Sequence, residues 1–283
     1  MKNSRNSGNT NSKTMLLTGI IVSFIVFAGA LTIFYINRDE IYNFLRKSAG
    51  ENQNSEITGK SDNPISGGVV PLSNDIPDPY EYFSNIIFIG DSITSGLDIY
   101  RDSIKFDGES VLKDASITAT KGYGVHNAVS DVASNAVNLI YGGKAMKPED
   151  VIAEKDEKYV FIDLGLNDLG MMTVDKYMQI YGTLIDNIQA KNPDKTVVIL
   201  SVTPLVAGQQ SGDINNDVII KANDMLLEFA KEHNIPFIDW AAAIRDAGND
   251  NSLYSDLSSD GYCHLNVEAY NRLVEYLLYH PVG

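Results

Sequence analysis

Cysteine and histidine are scarce in this sequence of 283 residues, which contains one cysteine, Cys263, and four histidines. A single cysteine excludes an intrachain disulfide, so the cellular compartment cannot be inferred from disulfide usage. The histidines and the thiol match no recognised zinc-ligand spacing. We therefore predict that the protein holds no metal, although a site built from carboxylates alone stays open.

Basic residues are also few, with 22 Lys and Arg against 37 Asp and Glu and a net charge of −15. A protein of this sign repels phosphate backbones and, for the most part, anionic lipid surfaces. We therefore predict that nucleic acid is not a partner.

Charged residues are missing altogether from Met15 to Ile36, a run of 22 residues. At about 1.5 Å per residue, a helix of this length just spans a hydrocarbon core of roughly 30 Å. We predict a transmembrane helix over 15–36, acting as a signal anchor, after a short polar tail at 1–14. A cleaved signal peptide is the alternative, but the apolar region of such peptides covers only about 7–15 residues.

Basic residues flank this apolar run in equal number on its two sides, so they do not decide its orientation. The free amino terminus favours a cytoplasmic N-terminal tail. We expect a single-pass membrane protein whose large C-terminal part lies outside the cytoplasm.

The stretch from Ser48 to Tyr80 is rich in Ser, Gly, Asn, Asp and Pro and has no sustained apolar period. We predict that residues 37–80 form a juxtamembrane segment and flexible linker, and that residues 81–283 form one catalytic-sized domain. The alternative is that the linker packs on the domain as a loop.

Short apolar, β-branched runs alternate with longer amphipathic stretches after the linker, a pattern typical of buried parallel strands joined by helices. The pattern predicts an α/β three-layer sandwich whose ligands bind outside the carboxyl ends of the strands. Helices are predicted after the capping residues Thr173 and Asn266, and a third over 218–230. The predicted strands are Ile86–Gly90, a weak one within Val111–Ile117, Tyr159–Leu164, Thr196–Val202 and Pro236–Trp240.

Three short motifs fall at such positions: IIFIGDSIT ends the first strand, FIDLGLND ends the third, and SSDGYCHLN precedes the last helix. Each motif alone is weak, because Ser92 could simply cap the helix that follows the strand. Together, in this order, they resemble the SGNH (GDSL-like) hydrolase family over about residues 84 to 280. The resemblance implies a flavodoxin-like sandwich with five parallel strands.

The resemblance also implies the roles of the site residues. Ser92 would be the nucleophile, with its own backbone N–H as one oxyanion-hole donor. Gly124, through its N–H, and Asn167, through its side-chain amide, would be the other donors. His264 would be the general base and Asp260 its orienting acid. These roles agree with the chemistry, because a serine hydroxyl needs a neighbouring imidazole to take its proton during attack.

Simpler roles compete for several neighbouring residues. Gly122 competes with Gly124 as the donor, and glycine there can also serve only to supply a positive φ angle. Asn167 and Asp168 could cap the turn after their strand. We expect His126 to be a structural or surface residue, and Asp91, like Asp168, to bond neighbouring backbone.

The last motif departs from the family pattern, in which aspartate lies three residues before histidine, whereas Asp260 lies four before His264. The loop must therefore bulge by one residue, or a Ser–His dyad works with another acid or a carbonyl. We predict that Asp260 keeps the role. We expect Cys263 to be a bystander, because adjacent residues of an extended loop point to opposite sides.

These features predict a serine esterase that needs no cofactor and forms an acyl-serine intermediate. Similar proteins often remove acetyl groups from carbohydrates, so we predict O-acyl, foremost O-acetyl, esters of an envelope glycan or a small molecule as substrate. The alternatives are a lysophospholipase or other lipid esterase, an O-acyltransferase acting on an envelope glycan, and a non-catalytic binding module. The oligomeric state cannot be predicted.

Overall fold

The protein is described by a computed structural model that covers residues 68–106, 108–133, 136–209 and 213–283. The predicted tail, the predicted anchor and residues 37–67 of the predicted linker lie outside these ranges. Within them, no helix has the length and apolar character needed to cross a bilayer. The transmembrane helix at 15–36 therefore stays a prediction.

The described residues form an α/β fold whose elements we number in chain order. The strands are β1 (Gly68–Val69), β2 (Ile86–Gly90), β3 (Lys105–Phe106), β4 (Glu109–Ser110), β5 (Ser116–Ala119), β6 (Leu139–Tyr141), β7 (Lys144–Met146), β8 (Tyr159–Asp163), β9 (Thr196–Leu200), β10 (Pro236–Ile238), β11 (Arg245–Asp246) and β12 (Ser252–Leu253). The helices are α1 (Pro79–Ser84), α2 (Ser92–Ile99), α3 (Val125–Val129), α4 (Pro148–Ala153), α5 (Leu166–Leu169), α6 (Val174–Lys191), α7 (Asn216–Glu232) and α8 (Val267–Tyr279).

The central sheet has six parallel strands in the order β1-β10-β9-β8-β2-β5, one more than the five predicted. The extra strand, β1, comes from the segment predicted to be a flexible linker. It pairs with β10, and the N–H of Val70 donates to the carbonyl of Phe237 at 2.9 Å. Val70 is buried, so burial of one apolar side chain and edge pairing hold residues 68–70 on the domain. The packed-loop alternative therefore describes this end of the linker better.

The other predicted strands lie where the apolar runs placed them, although β8, β9 and β10 end earlier than predicted. The weak strand expected within Val111–Ile117 is displaced: β5 begins at Ser116, because Val111 and Leu112 are buried in the turn that precedes it.

Helices cover both faces of the sheet, as a three-layer sandwich requires. Ile87 and Ile89 of β2 belong to a core that also contains the buried faces of α6 and α7. Phe88 points to the opposite face, where its ring lies 5.4 Å from that of Phe161. The helices α2 and α8 meet through a hydrogen bond from the hydroxyl of Tyr270.

The predicted caps fix where two helices begin. Thr173 Oγ1 accepts from the N–H of Lys176 at 3.3 Å, and Asn266 Oδ1 accepts from the N–H of Ala269 at 3.1 Å. Such side chains satisfy the N–H groups that lack a partner within the helix. The second cap matters most for the site, because it sets the start of α8 three residues after His264.

Candidate active site

Ser92 lies at the junction of β2 and α2. All five residues of β2 are buried, and Asp91 caps α2 by accepting from the N–H of Ile93 at 2.8 Å. Ser92 is the first residue of α2. Its N–H has no acceptor within the helix, because the first turn of a helix leaves these groups unpaired. The junction thus places the Ser92 hydroxyl next to the Ser92 N–H, which has no acceptor within the helix.

Glycine is required at the end of β2. A Cβ at Gly90 would collide with the Thr94 side chain and lie 2.8 Å from the carbonyl of Asp163. The close approach of α2 to the neighbouring strand β8 therefore depends on the missing side chain, and it brings the start of α2 directly over the carboxyl ends of β2 and β8.

The structure brings His264 and Asp260 to Ser92. The Nε2 atom of His264 lies 3.2 Å from Ser92 Oγ, and its Nδ1 lies 2.5 Å from Asp260 Oδ2. This arrangement places an imidazole within reach of the serine proton and a carboxylate on the far ring nitrogen. This two-sided contact of His264, with Ser92 at one ring nitrogen and Asp260 at the other, is the geometry that the motif order implied.

The extra residue between Asp260 and His264 is absorbed by a tight loop. Gly261 has a φ of +72°, which favours glycine. Asp260 Oδ1 accepts from the N–H groups of Tyr262, Cys263 and His264 at 2.8, 3.1 and 3.2 Å. One carboxylate oxygen therefore organises the loop, and the other is left for the imidazole.

This loop is closed at its base and favours an ionised Asp260. The N–H of Ser259 donates to the carbonyl of His264 at 2.8 Å, and Ser258 and Leu265 form an antiparallel bridge. Partial burial raises the pKa of Asp260, but the hydrogen bonds from His264 and from the loop backbone outweigh it and lower the pKa to about 2. Asp260 and His264 are thus held in one short unit, with the Asp260 carboxylate charged at neutral pH.

The helix that follows the loop is tied to the helix that carries Ser92. The hydroxyl of Tyr270, on α8, donates to the carbonyl of Ile93 at 2.8 Å. Gly96 of α2 packs so closely on this tyrosine that a Cβ would collide with its hydroxyl. The helical apolar period of α8 does not reveal this hydrogen bond, which joins residues 177 apart in the sequence.

The two glycines of the KGYGVHN segment differ in what they need. Gly122 has a φ of +78° and open space around it, so it serves the turn. Gly124 is extended, and a Cβ there would lie 2.6 Å from both carboxylate oxygens of Asp168. Its N–H donates to Asn127 Oδ1 at 2.9 Å. Glycine at position 124 is thus required because Asp168 packs against its Cα, and the Gly124 N–H is already hydrogen-bonded to Asn127.

Asn167 follows β8 and faces the same edge of the sheet as Ser92. Its side-chain nitrogen lies 2.9 Å from Asp91 Oδ2 and 3.0 Å from the carbonyl of Tyr123. An amide nitrogen has two hydrogens, so both have protein acceptors here. The structure places Asn167 beside the turn that carries Ser92, and both hydrogens of its amide nitrogen have acceptors.

Comparison with models of known protein families identifies the family of the chain that carries this site. Residues 88–272 match the model of the GDSL-like lipase/acylhydrolase family. The chain belongs to this family. The resemblance inferred from the motifs is thereby confirmed, and the chain is a serine ester hydrolase of the GDSL type.

Solved structures show the same fold. A GDSL-like lipase of Bacteroides thetaiotaomicron is 17% identical, with a TM-score of 0.50 over 84% of this chain and 94% of its own. A Bacteroides fragilis protein assigned as an acylhydrolase is 19% identical, with a TM-score of 0.51 over 72% of this chain and 88% of its own. A Streptococcus pneumonia protein assigned as a platelet activating factor is 18% identical, with a TM-score of 0.50 over 89% of this chain and 97% of its own. No curated protein is a significant match to the chain.

Three buried carboxyl groups, those of Asp91, Asp163 and Asp168, lie under the site of this GDSL-like hydrolase. A structural role was predicted for Asp91 and Asp168. Burial, with the nearby Asp163, raises the pKa of Asp91 well above its ordinary value. Asp163 was missed; burial raises its pKa to about 7, although Thr94 donates to it at 2.7 Å and opposes the shift. The sequence did contain a signal, because Asp163 is an acidic residue that interrupts the apolar letters of the second motif, FIDLGLND.

The third of these carboxyl groups, Asp168, holds the loop that contains Gly124. It accepts from the N–H groups of Val125 and His126 at 2.9 and 3.2 Å, and from the ring of His126 at 2.6 Å. This agrees with the structural role expected for both residues. His280, just after α8, is buried and stacked on Tyr276.

Cys263 lies beside His264, with Sγ 3.9 Å from His264 Nδ1. Burial raises the pKa of its thiol to about 12, so the thiol is neutral at physiological pH and is a poor nucleophile. Among the described residues, Asp260, Cys263 and His264 form one group whose ligand-type atoms all lie within 4.8 Å of one another.

Proposed function

We propose that this protein is a membrane-anchored esterase that removes O-acyl groups, foremost O-acetyl groups, from carbohydrate of the cell envelope. The observation that carries the proposal is the two-sided contact of His264, with Ser92 Oγ at 3.2 Å and Asp260 Oδ2 at 2.5 Å.

In the first half of the reaction, Ser92 Oγ attacks the ester carbonyl while His264 Nε2 takes the hydroxyl proton. Asp260 stabilises the imidazolium that forms and keeps the remaining proton on Nδ1. The carbon–oxygen bond to the alcohol then breaks, and His264 returns its proton to the departing alcohol. In the second half, water attacks the acyl-serine with His264 as base, and the acid is released.

The oxyanion needs donors that are fixed before the charge develops, and one such donor is typically worth about 10²–10³ in rate. The N–H of Ser92 is available at the start of α2. The Asn167 amide contributes if the oxyanion replaces the carbonyl of Tyr123 as its acceptor. The Gly124 N–H contributes if the oxyanion replaces Asn127 Oδ1. The other acceptor of the Asn167 amide is Asp91, whose pKa is raised well above its ordinary value by burial and by the nearby Asp163.

Two features support an envelope glycan as the substrate. The uncharged run at 15–36 favours an anchored domain that meets envelope polymers first. The net charge of −15 disfavours close binding of anionic lipid, which favours a carbohydrate ester over a lysophospholipid. A polar recess of about 370 Å³ beside Asn85 and Glu157 lies at the amino ends of the strands, and it is therefore not the acyl site.

The test is ester hydrolysis by the full-length chain in detergent, with p-nitrophenyl acetate, longer-chain p-nitrophenyl esters and an acetylated polysaccharide. We expect release of acetate from the polysaccharide, preference for the acetyl ester, and loss of both activities in Ser92→Ala. Ser95→Ala is the matched control, because this hydroxyl is on the same helix and bonds the carbonyl of Asp91 at 2.8 Å.

Other outcomes identify the alternatives. Preference for long acyl chains would indicate a lipid esterase. Labelling of Ser92 by a fluorophosphonate without hydrolysis, but with acyl transfer to an added glycan, would indicate a transferase. A folded protein that is neither labelled nor active would overturn the esterase proposal in favour of a binding module.

A further inference from the structure

The loop that carries the triad acid and base also brings together three different metal-binding atoms. Asp260 Oδ2 lies 2.5 Å from His264 Nδ1, and Cys263 Sγ lies 3.9 Å from the same nitrogen. One ligand-type atom from each of the three residues lies within 4.8 Å of those of the other two. A carboxylate, an imidazole and a thiolate are the ligands that Zn²⁺ takes in proteins. The catalytic proposal uses two of these groups and leaves Cys263 without a role.

We propose that Asp260, Cys263 and His264 form an inhibitory site for a thiophilic divalent cation such as Zn²⁺. The inhibitory consequence rests on the function proposed above, but binding of the cation does not.

The distances require only a small movement. Two ligands at about 2.1 and 2.3 Å from a tetrahedral ion lie roughly 3.6 Å apart, close to the observed separation of Sγ and Nδ1. The separation of Nδ1 and Oδ2 must open from 2.5 Å to about 3.4 Å. The side chain of Asp260 is 38% exposed, so its carboxylate has room to turn. Water can occupy the fourth position.

The loop geometry keeps the ligands close while the ion enters. Asp260 Oδ1 receives three backbone N–H groups, and this anchors the residue even if Oδ2 leaves the imidazole. Asp260 and His264 present their side chains partly to solvent, whereas Cys263 is only 9% exposed. The ion therefore enters from the side of the carboxylate and imidazole and contacts the thiol last.

Charge balance favours the bound state in this partly buried place. The thiol releases its proton to solvent as the cation takes its place on sulfur. A dication, one thiolate and one carboxylate sum to zero charge, so the site is neutral when it is filled. No electron transfer is involved.

The cation would stop catalysis through the tautomer of the imidazole. In the active enzyme Nδ1 carries the proton and Nε2 is free to accept from Ser92 Oγ. A cation on Nδ1 moves the remaining proton to Nε2. An N–H then faces the serine oxygen at 3.2 Å, and the base can no longer accept a proton. Loss of the base, rather than blockage of the substrate, is the expected cause of inhibition.

Titration of the full-length enzyme with Zn²⁺ in a buffer free of thiols and chelators tests the proposal. We expect inhibition that EDTA reverses, and a half-inhibitory concentration at least about tenfold higher in Cys263→Ala, which corresponds to about 1.4 kcal/mol. Mg²⁺ should have little effect, because it prefers oxygen ligands. Because the chain has one cysteine, no other thiol can supply the effect.

The second His–Asp pair provides a matched control. His126 contacts Asp168 at 2.6 Å much as His264 contacts Asp260, but it has no thiol in the chain beside it. We expect His126→Ala to leave the half-inhibitory concentration of Zn²⁺ unchanged. Equal potency of Zn²⁺ on the wild type and Cys263→Ala, or a shift only in His126→Ala, would overturn the proposal.

Cobalt binding separates this proposal from the catalytic one. Co²⁺ bound to a thiolate gives a sulfur-to-metal charge-transfer absorption that does not depend on turnover. We expect this absorption in the wild type and in Ser92→Ala, and its loss in Cys263→Ala. Its absence in a folded wild type would overturn the metal site even if the esterase is active, and its presence in an inactive protein would uphold the site alone.

Discussion

Two His–Asp pairs lie at the carboxyl edge of the sheet, and they do different things with the same residue types. In the loop after β12, Asp260 is partly exposed and His264 turns its second ring nitrogen to Ser92 Oγ. In the second pair, His126 lies in the segment after β5, and the side chain of Asp168, in α5, is fully buried and also accepts two backbone N–H groups. The role of the pair therefore depends on what the second ring nitrogen contacts and how far the carboxylate is buried.

The comparison teaches that a close His–Asp contact is not evidence of catalysis by itself. Both contacts are short, 2.5 Å in one pair and 2.6 Å in the other. The first pair lies within one loop, four residues apart, whereas the second joins segments 42 residues apart. A local pair can move as one unit with the base, while a long-range pair holds two parts of the fold together.

The largest expected effect comes from removing each imidazole in turn. We expect His264→Ala to lower kcat/KM by at least about 10⁴, because Ser92 loses its base. His126→Ala should change kcat/KM by less than about tenfold, because this ring supports a loop. Steady-state hydrolysis of a p-nitrophenyl ester measures both. Comparable losses in the two variants would mean that the pairs are not distinguished by their contacts as proposed.

Replacing the carboxylate of each pair with an amide is expected to act mainly on catalysis at Asp260 and on stability at Asp168. In Asp260→Asn the amide oxygen can still accept the loop N–H groups, but its NH₂ faces Nδ1 and favours the wrong tautomer. We expect a loss of up to about 10⁴ in kcat, with a modest loss of unfolding free energy near neutral pH because the stabilised charge is removed. Near-full turnover would instead support a Ser–His dyad.

The matched variant Asp168→Asn should lose stability, since Val125 and His126 donate to different carboxylate oxygens and the NH₂ would face one of these two N–H groups. A buried mismatch of this kind costs about 1–3 kcal/mol, which thermal unfolding detects.

The pH dependence of stability gives a check on the same pair. Asp260 has its pKa lowered from 3.8 to about 2, so it stabilises the fold above pH 3.8 and this stabilisation is lost as the pH falls towards 2. Asp260→Asn lacks the group that titrates. We expect the difference in unfolding free energy between wild type and variant to shrink over this acid range.

Sequence alone predicted the strands best where burial is complete and continuous. The run IIFIG predicts Ile86–Gly90 to the residue, because a strand covered on both faces must be apolar throughout. The short strand β1 was missed, because two residues of edge pairing leave no period in the sequence. Strand order and the sixth strand depend on contacts between distant segments.

The candidate site was predicted to the level of residue types, and its details were not. Motif order places Ser92, Asp260 and His264 in one region, but the partners of Gly124 and Asn167 depend on hydrogen bonds to residues far away or in a turn. The tie between Tyr270 and Ile93, across 177 residues, is of the same kind. Local patterns therefore identify the chemistry, and long-range packing decides which donors are free.

The smallest expected effect tests how the loop of the catalytic pair absorbs its extra residue. Gly261 has a φ of +72° and no atom within 4 Å of an added Cβ, so Gly261→Ala introduces backbone strain without a collision. We expect it to cost about 1–2 kcal/mol of stability.

The same strain should also lower kcat/KM by about tenfold, because it can be relieved only by moving Asp260 Oδ1 away from its N–H donors. Gly143→Ala is the control: its φ is +75°, its surroundings are equally open, and it lies in the turn between β6 and β7. It should lose similar stability and keep its activity. If both variants keep full activity, the loop tolerates the shift, and the spacing of Asp260 and His264 does not depend on a glycine between them.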